Sequence, residues 1–137
     1  MDRFEFDSVL FPLNWVTWNH GEFGPKVVEK AREKRLAILA LKTMAKRKWR
    51  EGEEREYSKT WYRPVESYDE AQTAVRFTFY LPITAGPTPG HEQLFDWMCD
   101  AADEFTPLSD VERASVAEAS KAHDPIFSRF EARWPGE

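Results

Sequence analysis

Lys46-Arg-Lys-Trp-Arg50 is the densest run of cations in the chain, with one tryptophan set among them. Lysine and arginine neutralise phosphates, and an interleaved indole stacks on a base. Lys46, Arg47, Lys48 and Arg50 therefore form a candidate nucleic-acid contact within residues 42–50. Two features weigh against it. Cations in the last turn of a helix also complement the helix dipole. Glu51, Glu53, Glu54 and Glu56 follow at once and would repel a phosphate chain.

A second candidate set is acidic. On a helix, Glu92, Asp96, Asp100 and Asp103 share one face, opposite Leu94, Met98 and Phe105. Carboxylates so arranged bind a divalent ion, serve a hydrolase or nuclease, steer a basic partner, or simply meet water. No second carboxylate pair of suitable spacing completes an acidic nuclease site. His20, His91 and His123 have no histidine or cysteine at metal-ligand spacing. Cys99, the one cysteine, lies among Asp96, Asp100 and Asp103, which disfavour a nucleophilic thiolate. Gly-x-Ser-x-Gly, P-loop and dinucleotide-binding patterns are missing. These residues point away from an enzyme, and no cofactor or metal is expected.

Aromatic side chains supply the third set. Trp15 and Trp18, with His20 just beyond, lie in a short β-prone run closed by Asn19-His20-Gly21. On an extended strand, residues three apart face opposite sides, so one indole would leave the core and anchor a partner.

The elements that must position these sets are read from periodicity. Pro25 after Gly24 suits a helix start, and Gly52 a helix stop. Between them, Val27, Ala31, Ile38, Leu41, Ala45 and Trp49 form one stripe, which predicts a long helix over about 25–50. Its Leu36–Leu41 middle is apolar nearly all round and needs cover on several sides. Residues 3–11 alternate as a half-buried strand that Pro12 ends or places at an edge. Residues 57–63 and 73–81 read as a hairpin, the second strand through Val75, Phe77, Phe79 and Leu81. Three helices follow. One spans 89–105, and one opens at the Ser109–Glu112 capping box. A last short one starts at Asp124-Pro125, with Ile126, Phe127 and Phe130 on its buried side and Trp134 beyond. The expected architecture is a single α+β domain over 1–137: a small antiparallel sheet covered by the long helix and a C-terminal group of three shorter ones.

Composition bounds the function. A length of 137 residues with 42% hydrophobic and 15% aromatic side chains supports a real core. No apolar run is long enough for a membrane helix, and an acidic N-terminus does not fit a signal peptide. With one cysteine, a reducing, cytoplasmic setting is expected. The net charge of −5 conceals segregation: residues 24–50 carry ten Lys or Arg against two Glu, and residues 64–137 carry fourteen acids against five bases. Small size, surplus aromatics and divided charge fit a non-enzymatic regulator or inhibitor that docks on a larger protein assembly. Nucleic-acid-handling machinery such as transcription, served by a phage-type or accessory factor, is one such setting. Direct nucleic-acid binding through 42–50 is the alternative, and an acidic-site hydrolase or nuclease is third.

Overall fold

Asn14 shows how the chain departs from these expectations. In the computed structural model, which describes residues 3–128, its Oδ1 accepts the backbone N–H groups of Val16 and Thr17 at 3.1 and 2.9 Å. That is an N-cap, and it turns the run expected to be β into helix α1, Trp15–Asn19. Three residues apart on a helix lie on neighbouring faces, so both indoles pack inward. Trp15 is buried, and Trp18 is half-buried against two core clusters. No tryptophan is forced out of the core here.

The long helix also breaks. It starts as expected, with Pro25 in its first turn and Gly24 at φ 118°, but α2 spans only Pro25–Glu33. Arg35 adopts φ 57°, and the Leu36 N–H donates to the Ala31 carbonyl, closing the helix in a left-handed cap without glycine. Lys42 at φ 69° ends the next segment. Between these two turns, Ala37–Leu41 is strand β2. A short apolar run is compatible with a buried helix or a buried strand, and flanking breakers decide which forms. Here the breakers are Arg35 and Lys42, residue types that do not announce a left-handed turn.

Strand β1, Ser8–Pro12, falls within the expected strand and pairs with β2 in parallel, Ser8 to Ala37 through Pro12 to Leu41. The connection carries α1 and α2, as a parallel pair requires. On the far side of β2, residues 84 and 85 add a short parallel contact: the Thr84 N–H donates to the Ile38 carbonyl, and the Ala40 N–H to the Ala85 carbonyl. A second ribbon is antiparallel, formed by β3, Ala45–Lys48, and β4, Tyr62–Pro64. So β4 pairs with β3, not with 73–81.

Residues 68–80 are helix α3, Tyr68–Tyr80, capped by the Ser67 hydroxyl on the Glu70 N–H. Val75, Phe77 and Phe79 alternate, but Ala71, Ala74, Val75 and Thr78 also repeat at helical spacing, and these are fully buried. Four close-packed helical positions outweigh the alternation. Helix α4, Glu92–Asp103, lies within the expected 89–105 but starts three residues later, after His91; helix α5, Asp110–Ser120, opens where expected, and the Ser109–Glu112 capping box closes in both directions. Residues 124–128 form bends rather than a helix; Phe130 and Trp134 lie outside the described residues.

The class is α+β, with two small ribbons and, among the described residues, five helices packed against them and one another. α1, α3, α4 and α5 share a core of Trp15, Val16, Val75, Leu94 and Met98. A second cluster joins Phe11, Ile38 and Ala40 of the parallel pair to Val28 and Ala31 of α2. No helix among the described residues is long and apolar enough to cross a membrane.

Candidate functional site: the paired ribbon and the open sheet edge

Lys46, Arg47 and Lys48 stand on β3, where alternation divides their surroundings, and Arg50 lies just beyond its end. Lys46 and Arg47 are both buried to within a tenth of their surface. The Lys46 Nζ donates to Glu66 at 2.8 Å and to Glu70 at 2.6 Å. Arg47 makes a two-pronged contact with Glu53, at 2.8 and 2.6 Å. Arg63 on β4 bridges Glu53 and Glu66 and closes the network.

The titration of these groups reports the pairing. The hydrogen bonds from Arg47, then the Arg50 N–H and Arg63, hold the Glu53 carboxyl well below the usual carboxylate range. Arg63, then Lys46, holds Glu66 at about 2, against the opposing effect of burial. Burial pulls Lys46 down, but Glu66 and Glu70 outweigh it and leave the ammonium above its ordinary value. Trp49 donates its indole N–H to the Thr60 carbonyl at 3.1 Å and lies under the Arg63 guanidinium, so its ring is engaged internally. Of the candidate phosphate contacts, Arg50 is exposed, Lys48 is half-buried, and Lys46 and Arg47 are consumed by carboxylates. Of the acids read as repelling a phosphate chain, Glu53 instead holds Arg47 in place, while the partners of Lys46 are Glu66 and Glu70.

On α4, Glu92, Asp96, Asp100 and Asp103 are all exposed, as one solvated face. Among the described residues, no three His, Cys, Asp or Glu side chains are grouped to hold a metal ion. His20 is exposed, its Nδ1 3.3 Å from the Ser120 carbonyl. His91 packs edge-on against Tyr57, and His123 edge-on against Trp15. The acidic face, the cationic run and the Trp15–His20 segment stand on different elements: α4, β3 with its end, and α1 with His20 just after it.

The feature that sequence reasoning missed is the outer edge of β1. The Ala37 N–H donates to the Asp7 carbonyl, and the Leu13 N–H to the Leu41 carbonyl. Odd-numbered residues of β1 thus turn their backbone groups toward β2. By alternation, the N–H and C=O of Ser8 and Leu10, with the C=O of Pro12, point outward. Among the described residues no strand lies against them. The sheet faces are equally unequal. Phe11, Ile38 and Ala40 are sealed beneath α2, whereas the other face carries half-buried Pro12, Leu39 and Leu41 and a Leu10 that is 55% exposed. Phe4 and Phe6, their rings 4.9 Å apart, are exposed just before the strand. The signal was present in the alternation of 3–11 and in Pro12, but only pairing with β2 reveals which edge is open.

No family model matches the chain, and no curated protein or solved structure resembles it significantly.

Proposed function

We propose that this protein is a non-enzymatic docking module that binds a larger protein through the open edge and apolar face of its β1–β2 sheet. One observation carries the reading: a parallel pair with one face sealed beneath α2 and, among the described residues, no strand along its outer edge from Ser8 to Pro12, which carries no charged side chain. Parallel strands are otherwise found buried on both faces. Natural proteins protect exposed edges with lysine, bulges, proline or cover, and of these devices the strand Ser8–Pro12 itself carries Pro12. The matching partner is a polypeptide that adds an extended segment along Ser8–Pro12 and lays apolar side chains over Leu10, Leu39 and Leu41. A regulator or inhibitor of a larger assembly, including nucleic-acid-handling machinery, would use such a surface.

The experiment is capture from native lysate, with nuclease treatment as a control, comparing the wild type with Leu10→Arg. A defined protein should be retained by the wild type after nuclease treatment. Leu10→Arg should weaken its binding by about 2 kcal/mol or more, as for a central interface anchor. Equal capture by the variant would remove the sheet edge from the interface. Capture abolished by nuclease would favour nucleic-acid binding instead.

A further inference from the structure

Lys42 is a cation that the ion pairs of the antiparallel ribbon leave out. Lys46, Arg47 and Arg63 each meet a carboxylate. Among the described residues Lys42 meets none. Its Nζ stands over two rings instead, 5.6 Å from the centroid of Trp61 and 5.1 Å from that of Tyr62. Rings attract an ammonium without neutralising it, so the charge stays available to a carboxylate. Trp61 is 50% exposed, which leaves the pair open to a partner from outside.

Its position ties this cation to the sheet. Lys42 directly follows Leu41, the last residue of β2, which lies opposite Pro12 in the register. The Leu41 carbonyl accepts the Leu13 N–H, so the ladder runs to this point. The apolar face of Leu10, Leu39 and Leu41 therefore ends at the Lys42 turn. There φ is 69°, a left-handed conformation that lysine rarely adopts and that persists only where the surroundings impose it. A side chain already held against two rings also loses less freedom on binding than a solvated lysine does. The opposite end of the strand pair gives no such direction. Glu5 and Asp7 stand there with Arg3, Lys34 and Arg35, both signs together.

We propose that Lys42 sets the specificity of the docking surface, and that the partner segment carries an aspartate or glutamate beside its apolar residues. This rests on the reading of the β1 edge as the docking site. The partner's carboxylate pairs with the Lys42 ammonium while its apolar side chains cover Leu10, Leu39 and Leu41. The Trp61 ring borders the pair and keeps water from part of it, which strengthens the attraction.

Two synthetic peptides test this on the whole protein: acetyl-Glu-Val-Thr-Val-Thr-Val-Glu-amide and the same peptide with glutamine at both ends. An acid at each end allows for either strand direction. Both peptides should protect the Leu10 amide from hydrogen exchange, which reports filling of the edge. The glutamate peptide should bind about fivefold tighter or more at low salt, and its advantage should fade at about 1 M salt. Lys42→Gln should remove the preference without changing binding of the glutamine peptide, and Lys42→Arg should keep it. Equal binding of the two peptides, each protecting Leu10, overturns the proposal while the edge reading stands. A preference that survives in Lys42→Gln also overturns it. Protection of Leu10 by neither peptide overturns the edge reading, and the proposal with it. Should Lys42→Gln fail to fold, the indole N–H resonance of Trp61 in the wild type decides. A shift with the glutamate peptide but not with the glutamine one supports the proposal, and no difference between them overturns it.

Discussion

The two ribbons of this protein treat their polar groups in opposite ways. In the antiparallel ribbon, Lys46, Arg47 and Arg63 meet Glu53, Glu66 and Glu70, so the most cationic segment of the sequence offers little net charge to a partner. In the parallel ribbon no charged side chain lies between Ser8 and Pro12, yet among the described residues no strand pairs with the backbone donors and acceptors of Ser8 and Leu10. The lesson is that a conspicuous charge run is a poor guide to a binding surface until its counter-charges are located. An uncharged strand becomes informative once its neighbours are counted.

The largest effect that separates the ribbons is in the sealed face. Ile38 is 1% exposed, and Ile38→Asp should destabilise the protein by about 4 kcal/mol or more, enough to abolish a cooperative melt. Lys46→Met comes next. It leaves Glu66 and Glu70 without their shared cation, and because both carboxylates are more than a third exposed, water screens much of the loss. A cost of about 1–2 kcal/mol in urea unfolding is expected. An unchanged midpoint would mean that the network contributes nothing net.

Acid offers a finer contrast. Glu66 titrates at about 2 in the folded chain, below its unfolded value of about 4.3. Its contribution is present above that unfolded value and is lost as pH falls toward 2. Amides of β3 and β4 should therefore lose protection over that window before those of β1 and β2, which have no such pairs. Simultaneous loss in both ribbons would contradict this.

What the sequence made legible follows from the strength of its local signals. The α+β class and the starts of α2 and α5 rest on caps, prolines and long apolar periods, and these hold; α4 forms as well, but over Glu92–Asp103 rather than 89–105. Ala37–Leu41 was illegible because five apolar residues have no period of their own, and the left-handed turns around them use Arg35 and Lys42 instead of glycine. Asn14 carried a cap signal that the β-prone residues after it obscured. At Thr73–Leu81 alternation and helical spacing coexist, and packing of Ala71, Ala74 and Thr78 decides. The acidic face of α4 was read correctly as one face. The pairing of Lys46 was not legible, since Glu66 and Glu70 are twenty or more residues away; Glu53, the partner of Arg47, is only six residues on but was read as repelling phosphate.

Leu10→Arg should have the smallest effect on folding, within about 0.5 kcal/mol of the wild type, because it replaces a half-exposed side chain away from the sealed cluster. A large loss in its melt would place Leu10 in the core.

The openness of the β1 edge is most directly tested by amide exchange along one strand of the isolated protein. Val9 and Phe11 donate toward β2, whereas Ser8 and Leu10 point away from it. The expected result is alternation, with slow exchange at Val9 and Phe11 and near-unprotected exchange at Ser8 and Leu10. Strong protection at Leu10, equal to that of Phe11, would show that the edge is already occupied and would contradict the docking account.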